Sequence, residues 1–294
     1  MERFDFSVDN VPMTNGCSLL LGDFDGLHLG HQKLLEAASK KETAALLFDP
    51  PFPKEKGNAR TVLTSLEDKV RLFARYGADK VYVLRTDASF FAMSSERFIE
   101  KILLPMRPLE LVVGEDYTFG NGASGKMNDL KRHFNVKMVP ILNDPDGTKI
   151  GTKEIKAFLS EGEIKKANAS LGRRYEIVGK VIKGYQNGRK IGFPTANLSL
   201  NAPYLLPKDG VYSGISFLRG MPYRCIVNVG KAPTIGKLND SIVEIYLDGY
   251  KGDCYDETIY LDFSDKIRDE RHFGSLEELK KQLETDLSQM RSKL

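Results

Sequence analysis

The sequence has little cysteine and little histidine, and no long apolar run. Its three cysteines, Cys17, Cys225 and Cys254, are odd in number and widely spaced. That excludes a disulfide framework or a clustered thiolate metal site and favours a reducing compartment, so a cytoplasmic location is expected. No apolar stretch approaches the roughly 18 residues of a membrane span, and "MERFDFSVDN" lacks the basic-then-apolar order of a leader. Neither secretion nor a membrane partner is expected. Charge of one sign is also missing: 43 basic residues face 40 acidic ones, a net +3. No basic patch is clustered, so no nucleic-acid partner is expected, while anionic small ligands remain compatible. Internal repeats and low-complexity linkers are absent.

What is present is 294 residues, enough for two domains with separate cores. The first half alternates apolar runs ("SLLLGDF", "TAALLFDP", "KVYVL", "LELVVGED") with helical stretches ("SLEDKVRLFARYG", "SSERFIEKIL"), the latter opened by serines. This alternation predicts a doubly wound parallel sheet. "TKEIKAFLSEGEIKKANASLG" closes the half as one or two helices. From Tyr175 five short segments with period-two alternation, punctuated by Gly, Asn, Asp and Pro, predict a small antiparallel barrel, and a charged amphipathic helix ends the chain. The change of period places a boundary near 168–178, giving domains 1–172 and 173–294.

Two of the four histidines stand three apart in "GDFDGLHLGH", residues 22–31, between an apolar strand and a helix. A glycine-bearing turn there presents backbone N–H groups and a helix dipole, a setting suited to phosphates. His28 and His31 would donate hydrogen bonds to a polyphosphate and stabilise charge developing at the α-phosphorus. The alternative is a pair of structural histidines capping the helix. A metal site lacks a third ligand nearby, and the glycine spacing is not that of a dinucleotide fold. The stretch resembles the His-x-Gly-His signature of the nucleotidyltransferase superfamily.

In the second half, "NGRKIGFPTANLSL" (187–200) is an irregular run: Pro194 removes a backbone donor and Gly192 permits unusual backbone. Thr195 and Asn197, two apart on extended chain, share a face and offer oxygens suited to a Mg²⁺ ion bridging nucleotide phosphates. The basic loop carrying Gly188 and Lys190 would lie over those phosphates. An ordinary Asn-Gly turn with a capped bend is the other reading of the same residues.

Taken with "GVYSG", "NVGKAPTIG", "VEIYLDG" and "RDERHF", that run resembles the riboflavin kinase module. With "FDPPFP", "TSLEDKVRLF", "FAMSSERFIEKIL" and "VVGEDYTFG", nearly the whole chain resembles the bacterial bifunctional riboflavin kinase/FMN adenylyltransferase (FAD synthetase) family. The resemblance implies an α/β nucleotidyltransferase-like doubly wound parallel sheet, then a small antiparallel riboflavin kinase barrel with a C-terminal helix. It implies ATP-dependent conversion of riboflavin to FMN and of FMN to FAD, with Mg²⁺ accompanying ATP.

The resemblance further implies site roles. Glu244 becomes the base that activates the riboflavin hydroxyl, although a strand carboxylate of this kind is otherwise read as merely solvated. Thr195 and Asn197 bind Mg·ATP. ATP contacts fall to Gly22, Phe24, Asp25, Gly26, Gly30, Thr152, Lys153, Lys156, Gly188, Lys190, Gly192 and Pro194; flavin contacts fall to Asp116, Phe119 and Arg268. Two departures stand out. "IGTKEIK" (150–156) replaces a segment that usually carries two serines, a threonine and an arginine, with Gly151, Thr152, Lys153 and Lys156 in their places. Lysine keeps the charge but loses the bidentate fork of arginine. Asp23 adds a carboxylate beside the phosphate site, repulsive unless paired by Lys153 or Mg²⁺. A kinase with a degenerate adenylyltransferase half, or a non-catalytic flavin-binding regulator, are the alternatives these departures raise.

Overall fold

The computed structural model describes residues 1–39, 42–49, 61–183, 192–231 and 241–293. Two compact units emerge: Met1–Arg60 with Thr64–Thr152, and Thr61–Leu63 with Lys153–Leu294.

The first unit carries six strands among the described residues: β1 (Glu2–Phe6), β2 (Ser18–Leu21), β3 (Thr43–Asp49), β4 (Lys80–Arg85), β5 (Glu110–Gly114) and β6 (Val136–Val139). They form one sheet in the order β1-β4-β3-β2-β5-β6, with every pairing parallel. Its helices are α1 (Leu29–Ala37), α2 (Leu66–Arg75), α3 (Ala88–Phe91), α4 (Ser95–Phe98), α5 (Leu104–Met106) and α6 (Met127–Lys131), with a π turn at Ile99–Leu103 joining α4 to α5. Ser65 and Asp68 close a reciprocal cap at the start of α2.

The apolar runs read from the sequence are the central strands β2 to β5. Successive residues face opposite ways: Leu19 and Leu21 enter one core with Leu46 and Leu111, while Leu20 enters the other with Leu47 and Val112. Burial on both faces is why these strands are continuously apolar. β1 and β6, the edges, are mostly exposed and mixed in composition, and the sequence does not announce them. From β2 the chain steps to β3 on one side, then crosses from β4 to β5 on the other. The C-terminal ends of β2 and β5 therefore flank the reversal of strand order, where such sheets bind ligands.

The second unit is a closed antiparallel barrel in the order β10-β11-β8-β7-β12-β9. Its strands are β7 (Tyr175–Ile182), β8 (Ala196–Leu200), β9 (Gly210–Leu218), β10 (Met221–Lys231), β11 (Ser241–Leu247) and β12 (Thr258–Arg268). Among the described residues there are six rather than the five read from periodicity; β8 is hidden in the sequence by Gly192 and Pro194 just before it. Helices α7 (Thr152–Glu161) and α8 (Ile164–Leu171) precede the barrel and α9 (Leu276–Lys293) follows it.

Ile155 and Leu159 of α7 and Ile164 and Leu171 of α8 share one core with Tyr175, Tyr212, Val243 and Phe263. That shared core is why both helices fall with the barrel, earlier in the chain than the change of period at 172. Val62 is tied to Pro203 and Leu205 by main-chain hydrogen bonds, which brings residues 61–63 into the same unit.

Candidate active sites

The turn after β2 is strained. Phe24 and Leu27 adopt left-handed φ of 54° and 39°, and Gly26 one of 87°. For a residue with a Cβ that conformation costs on the order of 1–3 kcal/mol, and it persists only where the surroundings fix it. Four side-chain contacts do so. The Gly26 N–H donates to Thr64 Oγ1 at 2.9 Å, and Thr64 N–H donates to Asp25 Oδ1 at 3.1 Å. Thr152 Oγ1 donates to the Asp25 carbonyl at 2.9 Å, and Lys69 Nζ to the Asp23 carbonyl at 2.6 Å. Phe24 and Asp25 are buried, and Asp25 braces the turn through Thr64 and Thr152. Gly22 and Gly26 contribute backbone.

The turn delivers His28 as the N-cap of α1, its Nδ1 accepting from the His31 N–H at 3.4 Å. An accepting Nδ1 carries no proton, which places the His28 proton on Nε2. The His28 and His31 rings stack at 3.7 Å with an interplanar angle of 22°, and Phe24 meets the His31 ring edge-on at 5.2 Å. Gly30 leaves the His28 ring undisturbed: a Cβ there would lie 3.1 Å from His28 Nδ1 and Cε1. Burial holds His31 well below the usual histidine range, reinforced by the adjacent His28 and Lys69. His31 is thus neutral at neutral pH and acts as a hydrogen-bonding imidazole, not a cation. Its Nδ1 is buried without a hydrogen-bond partner among the described residues.

Asp23 has a partner the sequence reading did not name. Its Oδ1 lies 3.5 Å from Nζ of Lys69, a lysine only 7% exposed. Asp116, past the end of β5, is exposed and paired with Lys149. Phe119 is buried, stacked on Tyr117 and packed against Phe98, and belongs to the core beneath the sheet edge. In the second unit Lys153 is exposed at the start of α7, and Lys156 donates to the Thr61 carbonyl at 2.7 Å.

On the barrel, β11 turns Val243 and Ile245 into the core, which leaves Glu244 on the outer face. Asn197 of β8 stands directly opposite Glu244, with Asn228 of β10 on its other side. Burial pushes the Glu244 carboxyl above the usual carboxylate range, while a hydrogen bond from the Asn197 side chain pulls the other way. A carboxylate only accepts, so Asn197 donates through its amide and keeps its carbonyl oxygen for another partner. Thr195 and Pro194 are exposed just before β8, and Phe193 packs on Tyr246 at 5.2 Å after Gly192. Gly188 and Lys190 lie outside the described residues. Asn228 was missed from sequence because only the register brings it beside Glu244.

Arg268, at the end of β12, is held by Asp286 of α9, its Nε 3.0 Å from Oδ2 and a terminal nitrogen 2.9 Å from the same oxygen. Phe273 lies under two guanidiniums, 5.6 Å from Arg268 and 4.8 Å from Arg271. Arg271 and Phe273 line a cleft of about 440 Å³ with Gln282 and Thr285 of α9. The motif "RDERHF" pointed to this place, but only its first arginine was singled out.

A strained turn with stacked imidazoles after a parallel strand, and a barrel strand bearing a carboxylate beside a carboxamide, are the two candidate sites; similarity to known proteins places the chain among transferases. The family model described as FAD synthetase matches residues 11–153, and that described as riboflavin kinase matches residues 171–294. A bifunctional riboflavin kinase/FMN adenylyltransferase of Bacillus subtilis is 33% identical over 283 residues, covering 91% of this chain and 89% of that protein. One of the same description from Escherichia coli is 32% identical, covering 92% and 90%. The chain belongs to the bifunctional riboflavin kinase/FMN adenylyltransferase family. A crystal structure from Streptococcus pneumoniae, described as a macrolide-efflux protein, has a TM-score of 0.88 at 28% identity, covering 98% of this chain and 99% of that one. Among the described residues no helix is long and apolar enough to cross a membrane.

Proposed function

We propose that the barrel unit transfers the γ-phosphoryl group of ATP to the 5′-hydroxyl of riboflavin, giving FMN, and that the sheet unit transfers AMP from a second ATP to FMN, giving FAD and pyrophosphate. The observation that carries the first reaction is Glu244, on the outer face between the inward-turned Val243 and Ile245 and hydrogen-bonded by the Asn197 side chain. An alcohol is a poor nucleophile; a carboxylate with a raised pKa accepts its proton as the O–P bond forms, and ADP leaves.

The donors near Glu244 fit a magnesium ion carried in with ATP. The Thr195 hydroxyl and the Asn197 carbonyl are hard oxygens, and the described residues contain no group of three His, Cys, Asp or Glu that would form a protein cage. Bound with ATP, Mg²⁺ neutralises phosphate charge. Asn197 would then serve two partners, its oxygen toward the ion and its amide toward Glu244.

Adenylyl transfer asks less of the protein. The FMN phosphate has a second pKa of about 6 and is already a dianion near neutrality, so no base is required. Alignment and charge stabilisation suffice, supplied by His28 Nε2, by His31 and by the positive end of α1. His31, held neutral by burial, brings hydrogen-bonding capacity rather than charge to this role. Asp116 is the accessible candidate for flavin contact here, and Phe119 supports it from the core.

The test is chromatography of products from the purified chain incubated with riboflavin, ATP and Mg²⁺. FMN and FAD together are expected. FMN alone would leave the sheet unit non-catalytic, and neither product would overturn both assignments.

A further inference from the structure

Lys69 of α2 is a buried cation in a unit whose other charges are mostly solvated. Taking an ammonium out of water is costly unless a compensating group is close. Its Nζ donates to the Asp23 carbonyl at 2.6 Å and lies 3.5 Å from the Asp23 carboxylate, which is itself 30% exposed. Packing alone would place a leucine or methionine at this helix position. The ammonium instead reaches Asp23, the first residue of the strained turn that follows β2 beside the reversal of strand order.

A second observation points to a ligand at the same place. His31 Nδ1 is buried with no hydrogen-bond partner among the described residues, on a ring stacked against His28. A buried, unpartnered ring nitrogen at a turn held by a buried lysine suits an anion that offers both acceptors and charge. Lys69 also helps keep His31 neutral, so positive potential at the turn comes from the lysine and hydrogen bonds come from the imidazoles.

We propose that Lys69 is the residue that positions the ATP triphosphate in the sheet unit, and that Asp23 sets how much of its charge the triphosphate meets. The ammonium acts through the Asp23 carbonyl, which fixes the turn, and through its field. The Asp23 carboxylate offsets part of that field, so this chain binds ATP more weakly for adenylyl transfer than one with a neutral residue at 23. The inference rests on the sheet unit being an FMN adenylyltransferase.

The experiment measures FAD formation from FMN and ATP, with riboflavin phosphorylation by the same sample reporting on the fold. FAD formation by the parent tests the underlying assignment; a parent that makes none removes the assignment and this proposal with it. Given an active parent, Lys69→Met should raise the KM for ATP about tenfold with riboflavin phosphorylation unchanged, while Lys69→Arg stays within about threefold of the parent. Asp23→Asn should lower the KM for ATP about threefold. The double variant should bind ATP better than Lys69→Met alone, because it no longer sets a carboxylate charge against the triphosphate. An unchanged KM in Lys69→Met, a raised KM in Asp23→Asn, or a double variant worse than Lys69→Met would each overturn the proposal. If Lys69→Met loses both activities through misfolding, Asp23→Asn and Lys69→Arg decide the matter alone.

Discussion

Glu244 and Asn197 face each other across the β11–β8 ladder, and the Asn197 amide donates to the Glu244 carboxylate. This one hydrogen bond joins the residue assigned to proton transfer with the residue assigned to the metal–nucleotide. It also opposes the effect of burial, which favours the neutral acid.

A pH dependence follows, with a definite sign. A base works only when ionised, so riboflavin phosphorylation falls as pH drops through the Glu244 pKa. Since that pKa is raised, the acid limb of kcat/KM lies above the ordinary carboxylate value of 4.5. Asn197→Ala removes the bond that favours the ionised form and should move the limb to higher pH, whatever it does to the maximal rate. A limb that stays put or moves to lower pH would separate Glu244 from Asn197.

Gly30→Ala tests the imidazole stack without deleting it. The added methyl would stand 3.1 Å from His28 Nδ1 and Cε1, so the ring must shift by a few tenths of an ångström. Misplaced by that amount, His28 should lose about tenfold in FAD formation from FMN, with FMN formation unaffected. His28→Ala and His31→Ala should lose more, again with the kinase untouched.

Asp286 anchors α9 to the barrel. It is fully buried and holds Arg268 while accepting from Gln282 at 2.6 Å. Asp286→Ala leaves the guanidinium unpaired and should cost about 3 kcal/mol in urea denaturation. Replacing both partners by apolar residues, Arg268→Met with Asp286→Leu, should recover most of that loss. The same pair accounts for Arg268's position at the end of β12: its charge is met by α9.

Much of the fold was legible because burial leaves a mark on composition. The central strands are apolar along their length since both faces are covered, and α2 begins at the serine that caps it. The edge strands β1 and β6 left no such mark, and β8 is hidden by the proline and glycine that shape its approach. The chemistry was legible in part. His28 and His31 stand out because a strand-to-helix junction rarely carries two histidines. Glu244 stood out only through resemblance to a family, since its raised pKa comes from burial and from Asn197, 47 positions away by numbering. The Lys69 contact of Asp23 was hidden for the same reason. Lys153 and a metal were the candidates close to hand, whereas the structure supplies Lys69 from α2, a contact spanning 46 positions that no local pattern encodes.

The central claim is that two reactions run at two centres which share no catalytic group. Glu244→Gln supplied in parallel with riboflavin and with FMN, each with ATP and Mg²⁺, tests it most directly. The account predicts no FMN or FAD from riboflavin, a loss of at least about a hundredfold, and FAD from FMN at the parental rate. Riboflavin phosphorylation at the parental rate, or loss of FAD formation from FMN in the same variant, would contradict it.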